Sequence, residues 1–586
     1  MVCRESIQEQ FLNLGVNVSD SVLDRCLEIC AQNNVDEEEF VEIWMAYTLS
    51  NLGGADPTVE TINQMERKEF SQKEQKTPVR PKAQNKVSNL VIYNAANIEE
   101  STPEDILSVY NTTPKANRVK TGLDRTPKNR LGTGSSPRTI FSPSSFSPAL
   151  ATPSSKYASR TNSGDAVCSF GDTATAKWHP TSPGFCPTIR FVTPVAPDVH
   201  YMFEQLRDKA SVLDEIIEHI GEQIVTKCSL DDPEDVKTLQ PEPFITVGRI
   251  CCDANGRLNS RSVLLECSRD LSTGSTVPVD LTQVPQYSLF PGQIVALRAT
   301  NPTRSVAVGQ QVYSNAVLPL PVNRPTLAGS NGPLEMVIAA GPYTPSSTLT
   351  YQPLEDLMEY LKKHEPHLIV LIGPFVDSMH TQVQEGSFAE TFNAFFEKLV
   401  DGIMVQLKDS NTQIVIVPSW RDAHHHMVYP TPPFHMNKKY NNLHLASDPC
   451  MLDIDGLMVG ITSADILLHL GKEEISQPAQ GADRLGRLAS HILSQQCFYP
   501  LYPPAEDMPL DLTLLEQYGH LGFTPHILVL PSDLRYFIKE LFGCVVINPE
   551  RLAKGMVGGS FARLEISPPL SDNWSASNIC GQVIKI

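Results

Sequence analysis

Acidic residues and histidines near the ends of predicted strands are the groups in this chain that could do chemistry. The aspartates that follow buried apolar runs are Asp377, Asp422, Asp465 and Asp533, and residues 424–426 are three consecutive histidines. Carboxylates and imidazoles in such loops can hold metal ions that activate water. Adjacent histidines cannot all point at one ion on an ordinary backbone, and the sequence brings no pair of carboxylates together. We therefore predict that the aspartates cap helices or accept loop amides, and that 424–426 is a surface or interface loop.

The elements that would carry these loops are continuous apolar runs separated by predicted helices. The runs are 334–341, 367–373, 413–419, 457–463 and 526–532. Buried strands that alternate with helices are typical of an α/β layered domain, with helices covering its sheet. We assign this domain to residues 334–586. Ligands of such sheets bind at the carboxyl ends of the strands, so the loops at those ends decide the chemistry.

Residues 241–320 are predicted to form a five-stranded OB-type β-barrel. Short strands are separated by glycine and asparagine breaks at barrel-like spacing. The strand segments are 244–253, 262–268, 277–282, 293–300 and 306–313. OB barrels often bind single-stranded nucleic acid by stacking bases on aromatic side chains. This segment has few aromatic residues and no tryptophan, which favours protein docking over nucleic-acid binding.

Residues 194–240 are predicted to contain the helix that leads into the barrel. From 198 to 227 the apolar residues recur with a helical period. The predicted apolar face consists of Met202, Phe203, Leu206, Leu213, Ile216, Ile217, Ile220 and Ile224.

The first third of the chain divides into two predicted parts. Residues 1–75 have helical periodicity and are assigned to a small all-α interaction domain. Residues 76–193 lack periodicity and are rich in Pro, Ser and Thr, so we predict a disordered linker. Between 76 and 160 there are thirteen Lys and Arg against five Asp and Glu, whereas the whole chain has a net charge of −19. The remaining, folded parts are strongly acidic, which is unfavourable for binding a phosphate backbone.

Ser/Thr-Pro dipeptides recur in the predicted linker. They are Thr77, Thr102, Thr113, Thr126, Ser136, Ser142, Ser147 and Thr152. Proline after a hydroxyl residue is the local signal of proline-directed kinases, and the sequence around Thr77 adds the downstream arginine that cell-cycle kinases favour. The linker is therefore predicted to be a regulatory tether, phosphorylated by cell-cycle kinases.

Composition limits the class of protein. A chain of 586 residues is expected to contain three or four folding units. Its first residues lack the features of a secretory signal, and its apolar runs are too short to span a membrane. The thirteen cysteines contain no C-x-x-C pair, which predicts reduced thiols and no structural zinc site.

Several long phrases of the sequence resemble the B-subunit family of replicative DNA polymerases. The phrases lie at 373–377 (GPFVD), 417–425 (VPSWRDAHH), 498–504 (FYPLYPP), 530–537 (LPSDLRYF), 548–555 (NPERLAKG) and 558–566 (GGSFARLEI). They occur in the family's order, and the match covers the whole chain in outline. The resemblance implies an OB barrel joined to a degenerate calcineurin-like phosphoesterase domain.

The resemblance also implies which loop positions held metal in active phosphoesterases of this fold. Those enzymes use Asp-x-His, Gly-Asp, Gly-Asn-His and Gly-His-x-His at successive strand ends. The corresponding residues here are Gly341, Pro342, Tyr343, Pro374, Asp377, Ser419, Trp420, Ser463, Ser532 and Asp533. Proline at 374 replaces the bridging Asp, although Asp377 remains. We therefore expect no metal, no cofactor and no catalytic residue.

The resemblance implies a non-catalytic accessory subunit of the polymerase alpha–primase complex, acting in RNA–DNA primer synthesis in the nucleus. The implied partners are the C-terminal region of the polymerase catalytic subunit and the primase subunits. Replication recruitment factors are expected to bind the N-terminal domain. No membrane partner is expected, and direct nucleic-acid contact should be weak or absent.

Two alternatives stay open from the residues themselves. One is a residual metal-dependent phosphodiesterase or nuclease that uses the remaining aspartates and the histidines at 424–426. The other is a single-strand DNA-binding protein that works through the barrel.

Overall fold

The structure, a computed structural model of the chain, covers the sequence in separate stretches. It describes residues 4–13, 18–33, parts of 40–48, 57–66, 155–174, 176–178, 185–253, 256–322, 325–327, 332–386, 390–477, 482–569 and 574–586. The eight Ser/Thr-Pro sites and the rest of 76–154 lie outside the described residues. Within the described residues, no helix is long and apolar enough to cross a membrane.

The described helices and strands are numbered here in chain order. The helices are α1 Arg4–Asn13, α2 Asp20–Asn33, α3 Val59–Met65, α4 Ser155–Ala158, α5 Leu206–Cys228, α6 Arg269–Ser272, α7 Gln352–His364, α8 Thr381–Gln384, α9 Phe392–Gln406, α10 Ile466–Glu473, α11 Arg484–Ser494 and α12 Leu512–Tyr518. The strands are β1 Ala166–Phe170, β2 Ile189–Val192, β3 Gln240–Cys252, β4 Val263–Glu266, β5 Thr276–Asp280, β6 Tyr287–Leu289, β7 Ile294–Asn301, β8 Ala307–Tyr313, β9 Leu334–Ala340, β10 Leu368–Ile372, β11 Gln413–Val417, β12 Leu443–Leu445, β13 Cys450–Ile454, β14 Leu457–Ile461, β15 Ile475–Gln477, β16 Ile527–Val529, β17 Phe537–Leu541, β18 Cys544–Asn548, β19 Ala553–Lys554, β20 Val557–Gly558, β21 Ser560–Ile566 and β22 Ile579–Lys585.

The α/β domain has two sheets rather than the one that the apolar runs indicated. One sheet has the order β1-β22-β21-β9-β10-β11-β12 and the other the order β17-β18-β16-β14-β13-β2. Ile338 and Val370 of the first sheet and Leu452 and Val459 of the second share one buried apolar layer. Helices α7 and α9 cover the outer face of the first sheet, and α10 and α11 cover that of the second. The domain therefore has four layers, with its main core between the sheets.

The barrel forms as predicted, because strands β3-β4-β5-β8-β7 close on themselves. Its interior is filled by apolar side chains such as Ile250, Leu265, Val277 and Leu297. Full closure removes free sheet edges, which stabilises so small a β-domain.

The prediction that 76–193 is a disordered linker is wrong for its last part. Strand β1 pairs antiparallel with β22, and β2 pairs antiparallel with β13, so both extend the sheets of the α/β domain. The helix α4 contributes Tyr157, which is buried and donates its hydroxyl proton to Asp356 at 2.7 Å. Edge strands obtain their backbone hydrogen bonds from a distant partner, so they need little periodicity of their own.

The helix predicted from residue 198 begins instead at Leu206. Residues 198–205 form an irregular, non-helical segment, in which the Met202 amide donates to Asp511 Oδ2 at 2.6 Å. Ile217 and Ile220 of the predicted apolar face are buried. Met202, Phe203 and Leu206, which the sequence placed on the same apolar face, are exposed. A polar anchor more than 300 residues away in sequence therefore decides where the helix starts.

The barrel is joined to the α/β domain by backbone and side-chain hydrogen bonds. Strand β6 of the barrel segment pairs with β15 of the α/β domain. The Gln495 side chain accepts from the Ile294 amide at 2.7 Å and donates to the Ile294 carbonyl at 3.0 Å. His491 and Ser288 are hydrogen-bonded across the same junction at 2.8 Å.

Replacing Gln495 with Ala should loosen this junction. Both backbone groups of the buried Ile294 would lose their side-chain partner, and each unsatisfied group costs about 1–3 kcal/mol. We expect faster hydrogen exchange at the Ile294 amide and a lower midpoint of thermal unfolding. The exposed Gln477 in the neighbouring β15 provides the matched control, since Gln477→Ala should change neither quantity. An unchanged exchange rate in Gln495→Ala would contradict this role.

Candidate functional site: the loops at the carboxyl ends of the strands

The sequence-predicted site residues lie in loops that leave the carboxyl ends of parallel strands. Gly341, Pro342 and Tyr343 follow β9; Pro374 and Asp377 follow β10; Ser419 and Trp420 follow β11; Ser463 follows β14; Ser532 and Asp533 follow β16. Strands β9, β10 and β11 are parallel neighbours in the first sheet, and β14 and β16 in the second. We call these loops the sheet mouth.

The first two loops of the sheet mouth are packed backbone against backbone. The Gly341 amide donates to the Ile372 carbonyl at 2.8 Å, and a Cβ at position 341 would overlap the Pro374 carbonyl oxygen. Tyr343 is fully buried, stacks on Phe375 with ring centroids 5.0 Å apart, and donates its hydroxyl proton to the Ile372 carbonyl at 3.0 Å. These loops therefore contribute packed rings and backbone rather than free carboxylates or imidazoles.

Asp422 ties the second loop to the third. Its Oδ1 accepts from the amides of Phe375 and Val376 at 2.6 and 3.0 Å, and its Oδ2 accepts from the Ser419 amide at 3.0 Å. Burial raises the pKa of Asp422 to about 7, and the three amide hydrogen bonds oppose that rise. The predicted role of Asp422 as an acceptor for loop amides is confirmed.

Asp377 is held by an arginine. Arg421 donates from Nε to Asp377 Oδ1 at 3.2 Å and from Nη2 to Oδ2 at 2.6 Å, and Asp377 also accepts from the Met379 amide at 3.1 Å. A forked guanidinium–carboxylate pair is the strongest ordinary side-chain hydrogen-bond geometry. Both carboxylate oxygens of Asp377 thus have hydrogen-bond donors.

The loops of the second sheet are held in a similar way. Asp465 caps α10 by accepting from the Leu468 amide at 3.0 Å, and it also accepts from the Ser532 hydroxyl at 2.6 Å and the Asp533 amide at 2.7 Å. Arg551 Nη2 lies 3.4 Å from Asp465 Oδ2, and its Nε lies 3.6 Å from Asp533 Oδ1.

Ser463 belongs to another buried pair. Its amide donates to Asp448 Oδ1 at 2.8 Å and its hydroxyl to Asp448 Oδ2 at 2.5 Å. Burial raises the pKa of Asp448 to about 6. Arg551 lies within electrostatic range of Asp448 and lowers that pKa.

Two arginines thus lie among these carboxylates, and one of them interacts with carboxylates of both sheets. Arg421 follows β11 of the first sheet but is also stabilised by Asp465 and Asp533 of the second. Arg551 follows β18, and its side chain is only 3% exposed. In the part of the chain that the structure describes, no group of three or more His, Cys, Asp or Glu residues is placed to hold a metal ion. The sequence analysis did not single out either arginine. Both lie shortly after a strand, in the segments 417–425 and 548–555 that carry the family resemblance.

The three consecutive histidines point to three different surroundings. His424 packs against the rings of Phe396 and Phe434, at centroid distances of 4.2 and 4.9 Å, and these two rings also contact each other. Burial lowers the pKa of His424 to about 3. His425 donates from Nε2 to the Pro432 carbonyl at 2.6 Å. His426 is exposed, and its Nδ1 lies 2.8 Å from the Tyr201 hydroxyl. The segment predicted to be a surface or interface loop is thus exposed at His426, whereas His424 is only partly exposed and its two ring nitrogens are buried.

Trp420 is a core residue. It is 6% exposed and belongs to the same apolar cluster as Phe290 and Tyr429. A large ring at this position fills space between the third loop and the helices of the second sheet.

Three family models match separate parts of the chain. They are the B subunit of DNA polymerases alpha and epsilon over residues 336–539, the OB domain of the DNA polymerase alpha B subunit over 210–315, and the N-terminal domain of the DNA polymerase alpha B subunit over 5–72. The DNA polymerase alpha B subunit of Mus musculus is 35% identical over 604 aligned residues, which cover 100% of both chains. The chain belongs to the DNA polymerase alpha B-subunit family. The family protein of Drosophila melanogaster is 33% identical, covering 96% of each chain.

Family membership confirms the resemblance that the sequence phrases carried. It also confirms an N-terminal domain, an OB domain and a C-terminal B-subunit domain with mixed α/β sheets. The Bos taurus member, 34% identical over 92% of this chain and 91% of its own length, supports the same assignment.

The buried Asp422 should give the stability of the protein a measurable pH dependence. Its folded-state pKa lies above the unfolded value of about 3.9, so the folded protein holds the proton more tightly between about pH 4 and pH 7. The contribution of Asp422 to the free energy of unfolding is therefore complete below about pH 4 and is lost as the pH rises to 7.

Asp422→Asn removes this titration while keeping an acceptor oxygen. The free energy of unfolding of the wild type minus that of the variant should fall by about 2 kcal/mol between pH 5 and pH 7, as measured by urea unfolding at each pH. The exposed Asp409 supplies the control, since Asp409→Asn should show no such trend. A difference that grows with pH would contradict the assignment.

Proposed function

We propose that this protein is the non-catalytic accessory subunit of the DNA polymerase alpha–primase complex, in which it holds the catalytic subunit and primase together for RNA–DNA primer synthesis. The non-catalytic part of the proposal rests on the hydrogen bonds and ion pairs made by the aspartates of the sheet mouth. Its aspartates are engaged by Arg421, Arg551 and backbone amides. Family membership over the full chain supports the accessory role.

The sheet mouth is interpreted as a phosphoesterase site that lost its metals. Pro374 stands where the bridging Asp of such enzymes would be, and Tyr343 fills the first loop with a buried ring. Two guanidinium groups supply the positive charge that buried carboxylates require. Arg421 forms a salt bridge with Asp377, and Arg551 lies beside Asp465. Since these cations are covalently part of the chain, the loops need no exchangeable ion to hold their shape.

The described barrel offers little for stacking bases. Phe244 and Phe290 are buried, and Tyr287 and Tyr313 are partly buried. Single-strand binding by such barrels relies on exposed aromatics in a basic groove, and the folded parts of this chain are acidic. These features support the proposal that the barrel mainly binds other proteins and binds nucleic acid weakly or not at all.

The N-terminal domain is proposed to recruit replication factors at the end of the Ser/Thr-Pro-rich tether. Phosphorylation of all eight sites would add a charge of roughly −12 to −16, which would reverse the basic character of the tether. The far end of the tether is fixed to the α/β domain by β1, β2 and Tyr157. A tether fixed at one end raises the local concentration of the domain at its other end. Cell-cycle kinases are the proposed modifiers, and the nucleus is the proposed location.

Affinity purification of the full-length chain from dividing cells tests the proposal. We expect stoichiometric recovery of the polymerase alpha catalytic subunit and both primase subunits, identified by mass spectrometry. A variant with all eight Ser/Thr-Pro sites changed to Ala is the control, and it should retain these partners because the proposed docking surfaces lie in 194–586. Recovery of the chain without any polymerase subunit would contradict the proposal.

A further inference from the structure

The segment 194–206, called the strap below, exposes large apolar side chains instead of burying them. Phe203 is 80% exposed and Leu206 is 86% exposed, and Met202 is exposed beside them. Pro197, His200, Tyr201 and Phe203 of the strap line an open cleft of about 470 Å³ together with His426. Contiguous exposed apolar surface of this kind marks interaction sites.

The strap is held in this arrangement by buried polar anchors. Glu204, whose side chain is 2% exposed, accepts from the amides of Leu512 and Thr513 at 3.0 and 3.2 Å and pairs with Lys209 at 2.8 Å. Met202 has φ +60, a left-handed backbone that L side chains rarely adopt, and its amide is fixed by Asp511. The polar side chain of Glu204 points inward and the apolar side chain of Phe203 points outward. The hydrogen bonds that fix the backbone of the strap therefore also determine the exposure of Phe203.

Helix α5 continues the same pattern. At 100° per residue, Leu206 lies on the same stripe of the helix as Ile217 and Ile220, which are buried against the barrel. The apolar stripe therefore extends beyond the core that covers it. An occupant lying along the first turn of α5 would continue that core.

The charges around the strap indicate the chemistry of this occupant. The segments 194–210 and 504–518, joined through Met202 and Asp511, contain seven acidic residues against two basic ones. Both basic residues already have acidic partners, since Lys209 pairs with Glu204 and Arg207 with Asp208. The surface therefore favours an amphipathic segment with large apolar side chains flanked by Lys or Arg.

We propose that the strap and the first turn of α5 form a docking surface for an apolar, basic-flanked segment of the polymerase catalytic subunit. This inference rests on the proposed function, which supplies that subunit as the partner. Phe203 and Leu206 are the anchors that the partner buries, and the acidic residues around them select its charge.

Photo-crosslinking in the assembled full-length complex tests the surface directly. Phe203 is replaced by p-benzoylphenylalanine, and the exposed Phe542, which lies between β17 and β18, is replaced in a control chain. We expect an adduct from position 203, and none from position 542, to a catalytic-subunit segment that contains both apolar and basic residues. An adduct to residues 76–154 of the same chain, to a second copy, or to no protein would overturn the inference.

Binding measurements separate this inference from the proposed function. The double variant Phe203→Asp, Leu206→Asp should bind the catalytic subunit with a Kd raised about tenfold or more, while Phe542→Asp leaves the Kd unchanged. Substitution at these three exposed positions should leave the thermal midpoint unaltered. Normal affinity of the double variant would overturn the docking surface alone, whereas failure of the wild-type chain to bind the catalytic subunit would overturn the proposed function.

Discussion

Buried carboxylates at the carboxyl ends of strands are the constraint on which the rest of this structure depends. Each must find donors or a cation, because an unpaired buried charge is strongly destabilising. Asp422 meets this need with three loop amides, and Asp377 with the fork of Arg421. The loops that follow β10 and β11 are thereby joined to each other.

This arrangement suits an accessory subunit that binds other protein subunits. If metal ions held the sheet mouth together, its shape would change whenever the ions dissociated. The guanidinium groups of Arg421 and Arg551 cannot dissociate, because they are side chains of the loops themselves. The same logic applies at the strap, where Glu204 and Asp511 fix the backbone so that Phe203 faces outward. In both places a buried polar contact sets the position of a loop, and the loop determines which groups the surface offers.

The strands were predictable where the sequence carries its own signal. Runs such as 368–372 are apolar at every position because both faces are buried, and the barrel strands are bounded by turn residues. Strands β1 and β2 were missed because their hydrogen bonds come from β22 and β13, far along the chain. The start of α5 was misplaced because its periodicity extends into the strap, which Asp511 holds in another conformation. Sequence periodicity therefore indicates local packing. It does not indicate hydrogen bonds from residues that are distant in the sequence.

The claim that the sheet mouth holds its loops with protein groups alone is tested most directly by metal analysis of the purified chain. The chain is incubated with Mn²⁺, desalted and examined by inductively coupled plasma mass spectrometry, with phosphodiester turnover measured on the same sample. We expect substoichiometric manganese and no turnover above a buffer blank. Stoichiometric manganese with turnover that Asp377→Ala abolishes would contradict the claim and show that the sheet mouth is an active site.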